Sequence, residues 1–184
     1  MKQALLLVDI QNDYFPGGAM ELVGSPEAGR QAGKLLQHFR RCGLPVIHIQ
    51  HVATRPGATF FLPDTPGVAI HASVAPLPDE PVLVKHFPNS FRETPLYDYL
   101  KQRQIERLVI AGMMTHMCID TTTRAAADLG LQCRLAHDAC ATRDLAFGGI
   151  EVAARQVQAA YLAALDGLFA QVLSVDAICA AMAD

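Results

Sequence analysis

A carboxylate, an ammonium and a thiol stand at comparable places in distant parts of this chain. Asp9 follows the apolar run ALLLV, Lys85 closes PVLV, and Cys118 comes shortly after RLVIA and a Gly-Met-Met-Thr turn. The three types suit one reaction. A thiolate is the reactive form of cysteine and attacks carbonyl carbon. A nearby carboxylate removes the thiol proton and returns it to a leaving nitrogen. A lysine beside that carboxylate keeps it ionised. Each residue also has an ordinary reading. Cysteine packs as a small hydrophobe, a strand-end aspartate accepts from loop N–H groups, and a lysine reaches solvent along its methylenes.

The elements that must position these residues alternate in kind. Ala4–Ile10, Pro45–Gln50, Pro81–Lys85, Arg107–Ala111, Leu131–Ala136 and Gln171–Ser174 read as six strands. Helices are expected from Ser25 to about Cys42, over Thr94–Gln104, Thr115–Leu129 and Gly149–Leu165, with a short closing helix over Val175–Met182. Ser25 is read as an N-cap with Pro26 at the first helical position. Strand–helix alternation predicts a doubly wound α/β sheet, and wholly apolar strands predict that it is parallel and covered on both faces. Such sheets bind ligands beyond the carboxyl ends of their strands, where all three residues fall. With Thr115 as N-cap, Cys118 lies in the first helical turn, whose free N–H groups favour a thiolate and can stabilise an oxyanion. A thiol so primed is expected to react selectively with iodoacetamide at neutral pH. The stretch from Val52 to Pro81 is too long for a plain connection and reads as a lid or binding loop.

Longer segments carry a family resemblance. LLLVDIQNDYFPGGAM resembles the opening of the isochorismatase-like hydrolases, with their D-x-Q-x-D-F-type motif. VKHFPNSFRETPLYDYL is similar to their lysine segment, LVIAGMMTHMCIDTTTRAAADLG to their cysteine segment, and LAHDAC carries the D-A pair they show after the fifth strand. The resemblance implies a three-layer α/β/α fold whose six-stranded parallel sheet has the order 3-2-1-4-5-6. It implies Asp9, Lys85 and Cys118 as a catalytic triad and a cis peptide between Met113 and Met114. The N–H groups of Met114 and Cys118 would then form an oxyanion hole. The implied activity is hydrolysis of a C–N bond in a small amide, ureide or lactam-like molecule through a thioester. Members that cleave a vinyl ether need no cysteine, so Cys118 favours amide chemistry. A catalytically silent binding module is the reading from another class, and an intact triad argues against it. Self-association is usual in the family and is expected here.

Nicotinamidases of this superfamily hold a metal with a D-x-H pair after strand two. Here that region reads HIQHVATRPG, and His48, His51 and His71 match no familiar ligand spacing, so neither metal nor cofactor is expected. Phe15, His51, Phe60, Phe61, Phe91, His116 and Met117 are candidates for a pocket. Phe15 is the one chosen as substrate-binding, because it follows the aspartate motif closely.

Composition narrows the remaining classes. A chain of 184 residues, 51% hydrophobic and 18% charged, suits one domain with a large core, expected to span residues 1–184. Its net charge of −3 comes without a Lys/Arg run, which argues against nucleic acid and anionic membranes as partners. The five cysteines form no CxxC pair. The apolar start is too short for a secretion signal and is interrupted by Asp9, and no run is long enough to span a membrane. A cytoplasmic enzyme acting on a small molecule is expected.

Overall fold

Alternating side chains decide the layering. In strand β1 (Gln3–Val8), Leu5 and Leu7 pack with Ala28, Ala32, Leu35 and Phe39 of helix α1 (Ser25–Arg41). Ala4, Leu6 and Val8 point the other way, toward helices α2 (Leu96–Gln102) and α3 (Asp120–Asp128). A strand sends successive side chains to opposite faces. An unbroken apolar run is therefore stable only between two covering layers, and each buried leucine contributes about 1.5–3 kcal/mol over an exposed one.

The computed structural model describes residues 1–182 of the chain. Residues 183–184, the end of the expected domain, lie outside those described. The other strands of the main sheet are β2 (Val46–His51), β3 (Val82–Lys85), β4 (Arg107–Met113), β5 (Gln132–Ala141) and, after a hairpin, β8 (Gln171–Leu173). Its order is β3-β2-β1-β4-β5-β8, parallel throughout. Spatially this is the expected arrangement. The last strand is numbered eight because Leu145–Phe147 (β6) and Ile150–Val152 (β7) form a separate antiparallel hairpin. That hairpin occupies the start of the helix expected from Gly149, so helix α4 covers only Ala154–Leu165; helix α5 (Val175–Ala180) closes the fold.

Two expected N-caps are replaced by other residues. Helix α1 is capped by Gly24, at φ 77°, with Ser25 already helical and making no side-chain cap hydrogen bond. Thr115 is not an N-cap either. Met114 holds that place, and Thr115–Ile119 forms a wide π-type turn before α3. The Thr115 hydroxyl donates to the Ala141 carbonyl and to Gln158 Oε1 (3.2 and 2.6 Å), tying the turn to β5 and α4. Just before the turn, Gly112 lies so close to β1 that a Cβ there would meet the Val8 carbonyl oxygen at 2.0 Å. Only glycine lets β4 and β1 approach this closely at the sheet rim.

Candidate active site

The rim residues of β1, β3 and the π-type turn meet in the interior. Asp9 follows β1 directly, at φ 52°, a left-handed conformation that aspartate tolerates better than most residues. Lys85 Nζ lies 2.8 Å from Asp9 Oδ2, with both side chains fully buried. The same ammonium donates to Cys118 Sγ at 3.2 Å and to the Phe87 carbonyl at 3.0 Å. One cation thus touches both the carboxylate and the thiol. Among the described residues, Asp9 makes no well-aligned side-chain hydrogen bond beyond this ion pair. Its carboxylate therefore keeps lone pairs available for a proton.

A fourth residue joins them. His51 Nδ1 lies 3.1 Å from Lys85 Nζ, because His51 and Lys85 are register partners on the parallel strands β2 and β3. Burial, opposed by Asp9 and reinforced by Lys85, pulls the His51 pKa down to about 4. A neutral imidazole that accepts from lysine at Nδ1 carries its proton on Nε2. Gln11, fully buried, holds His51 by its backbone. The Gln11 amide accepts from the His51 N–H (2.8 Å) and donates to the His51 carbonyl (2.9 Å) and the Val68 carbonyl (2.7 Å). Asp13 accepts from the Phe61 N–H (2.6 Å) and the Ala19 N–H (3.1 Å). Alternate members of the D-x-Q-x-D motif thus carry the ion pair, fix β2 and anchor the long loop. Sequence reasoning identified only the first of these duties. The spacing of two was the available signal.

Burial and the neighbouring Asp9 charge push the Cys118 thiol well above its ordinary range, with Lys85 opposing them. The expectation of a thiolate primed by the helix end is thereby corrected: the resting sulfur is a thiol. Lys85, despite burial, is held charged by Asp9, and the Cys118 sulfur accepts one of its hydrogen bonds. Selective iodoacetamide labelling of Cys118 is no longer the expected result. Exposed Cys42 should be alkylated first at neutral pH, and peptide mass spectrometry over time checks the order. Faster labelling of Cys118 would contradict the charge distribution described.

The peptide between Met113 and Met114 is cis. The Met114 carbonyl accepts from the N–H groups of Met117 and Ile119 and passes over that of Cys118. Among the described residues the Met114 N–H has no hydrogen-bond partner.

Above the buried cluster lies a cavity of about 300 Å³ with Tyr14, His51, Phe60, Met114, Met117 and Cys118 in its walls. Ala53, Thr54, Arg55 and Ala58 of the long loop also reach it, which gives that loop the place expected of a binding loop. Of the aromatic and related candidates, His51, Phe60 and Met117 line the cavity, whereas Phe61, Phe91 and His116 do not. Phe15 is corrected as well. Its ring stacks on His71 at 3.5 Å and lies over Gly29 of α1, in the core and away from the cavity. Tyr14, its neighbour, is the residue that faces the cavity.

One donor atom each of Asp9, His51 and Cys118 lie within 4.8 Å of one another. This set does not suit a metal ion, because the Lys85 ammonium already contacts all three and would repel a second cation. The other histidines do not converge on it. His71 Nδ1 pairs with the Ser73 hydroxyl at 2.9 Å, and His48 Nε2 with Glu80 at 3.0 Å. Glu80 also takes two hydrogen bonds from Arg40, both 2.7 Å. Burial raises its pKa, but Arg40, the Leu77 N–H and His48 together bring it down to about 2. A depressed carboxylate contributes stability above its unfolded value of about 4.5, and loses it as pH falls toward 2. Glu80→Gln should cost about 1–3 kcal/mol in urea unfolding at pH 7, with the difference shrinking below pH 4.5. A gap that persists into acid would contradict this.

Known proteins similar to the chain have one theme. The family model "Isochorismatase domain" matches residues 3–177. The isochorismatase family protein YddQ of Bacillus subtilis is 49% identical over 177 residues, covering 96% of this chain and 98% of YddQ. A solved structure from Oleispira antarctica, classed among the isochorismatase hydrolases, superposes with a TM-score of 0.94 at 52% identity, covering 97% of this chain and 96% of that one. Streptothricin hydrolase of Streptomyces noursei is 38% identical over 146 residues, which are 78% of this chain and 51% of that enzyme.

Proposed function

Because the chain belongs to the isochorismatase family of hydrolases, we propose that it cleaves a C–N bond of a small amide, ureide or lactam-like molecule, with Cys118 as nucleophile. The observation that carries this reading is the Lys85 ammonium, in contact with both the Asp9 carboxylate and the Cys118 sulfur at the foot of the cavity. A vinyl ether hydrolase has no use for a sulfur in that position.

The steps follow from the charges. Asp9 takes the Cys118 proton as the sulfur approaches the carbonyl carbon, so a costly free thiolate never accumulates. The C–S bond forms, and the N–H groups of Met114 and Cys118 receive the developing oxyanion. Asp9 then passes its proton to the nitrogen, the C–N bond breaks, and ammonia or an amine departs. Water, deprotonated by Asp9, cleaves the thioester and yields a carboxylic acid and the free thiol. Lys85 keeps the buried charge balanced throughout. Five free cysteines accord with a reducing cytosol, the location we propose.

Ammonia release over a panel of amides and carbamoyl compounds, with Cys118→Ala as blank, tests the reading. Release from at least one compound, lost in the variant, is expected. No release from any of them would leave ether cleavage as the better account, and release that survives the substitution would remove Cys118 as the nucleophile.

A further inference from the structure

Tyr14 is a buried residue whose hydroxyl keeps a trace of accessible surface and has no partner among the described residues. The residue is 1% exposed and ends the short turn Asn12–Tyr14. Its ring is fixed by Phe61 at 4.6 Å and Phe60 at 5.8 Å. Buried tyrosine hydroxyls almost always find a partner. Among the described residues this one makes no hydrogen bond, and its residue lines the cavity that Cys118 also lines. Burial, reinforced by the neighbouring Asp9 charge, raises its pKa well above the ordinary value, so it stays an O–H donor at any physiological pH.

The other polar groups of the cavity are committed, exposed or part of the reacting cluster. His51 accepts from Lys85 at Nδ1 and stands with Asp9 and Cys118 in that cluster, so its Nε2–H belongs to the reacting groups' side of the site rather than to a separate recognition point. His86 Nδ1 donates to the Val52 carbonyl at 2.8 Å. Arg55 lies at the solvent-exposed end of the wall. Much of the remainder is apolar, including Ala53, Phe60, Phe87, Pro88 and Met117. A ligand entering such a space gains from apolar contact and meets, in the Tyr14 hydroxyl, a donor that no protein group among the described residues uses. Leaving that donor unmatched costs a polar group its hydrogen bond.

We propose that the Tyr14 hydroxyl recognises a hydrogen-bond acceptor on the acyl part of the substrate. The substrate class is then a small neutral amide whose acyl group is compact and mainly apolar but carries one acceptor heteroatom. The volume of about 300 Å³ sets it at the small end of ligand sites. This inference rests on the amidase reading and adds the feature that selects among amides.

Matched pairs isolate the contact: methoxyacetamide against butyramide, and the pyridine carboxamides against benzamide, each pair differing only in the acceptor. Binding to Cys118→Ala is measured by calorimetry, and kcat/KM where the wild type turns a pair over. The acceptor-bearing member of at least one pair should be favoured by about tenfold or more. Tyr14→Phe, which keeps the ring packed on Phe60 and Phe61, should reduce that preference to within about twofold and leave the other member unchanged. A preference that survives Tyr14→Phe, an equal loss for both members, or ammonia release with no preference in any pair overturns the inference alone. No binding and no turnover of any amide overturns the amidase reading and the inference with it.

Discussion

Cys118→Ala is expected to lower amide turnover by about 10⁴-fold or more while leaving the protein folded. The sulfur is the only atom removed. Although Cys118 is buried, its loss from the core costs on the order of 1 kcal/mol. The residual rate should come from the oxyanion donors and the cavity alone. Steady-state ammonia release beside a urea unfolding curve separates the two effects. A variant that unfolds, or one that keeps within about tenfold of the wild-type rate, would contradict the assignment.

Lys85→Met acts on both stability and rate. It leaves the fully buried Asp9 side chain without its cation, and breaking a buried pair on one side costs about 3–5 kcal/mol. The loss should appear in unfolding at neutral pH and be largely repaired by adding Asp9→Asn, since an uncharged amide needs no counter-ion. Activity should not return with stability. Acylation needs the carboxylate as proton acceptor, worth about 10²–10⁴-fold, and the double variant has none. A single variant as stable as the wild type, or a double variant that recovers turnover, would remove the ion pair from its proposed place.

How much of this was legible depends on whether the signal lay in one segment or between segments. ALLLV and RLVIA announced strands covered on both faces, and the fold buries them so. The segment motifs led to Asp9, Lys85 and Cys118, which the fold brings together. His51 reads from the sequence as a pocket candidate and as a histidine without ligand spacing, not as a partner of the lysine. Its contact with Lys85 comes from the register of β2 on β3, which neither strand states alone. The π-type turn at Thr115–Ile119 was hidden because helix periodicity does not distinguish it. The reversed pull on the Cys118 thiol came from burial that a helix-end argument leaves out. The choice of Phe15 failed for a local reason. Adjacent residues leave a tight turn in different directions, and proximity to a motif does not say which faces the cavity. The β6–β7 hairpin had a signal, Gly148-Gly149, of the kind favoured in two-residue turns. An alanine-rich segment beyond it concealed that signal.

The claim on which the rest depends is that amides of one acid pass through a single acyl-enzyme. Hydroxylamine competes with water for such an intermediate and is read out as hydroxamate. For the amide identified by ammonia release and its N-methyl counterpart, the ratio of hydroxamate to acid should be the same at every hydroxylamine concentration, because both nitrogens have left before the partition. A ratio that changes with the leaving amine would mean that no common thioester forms, and Cys118 would lose its role as nucleophile.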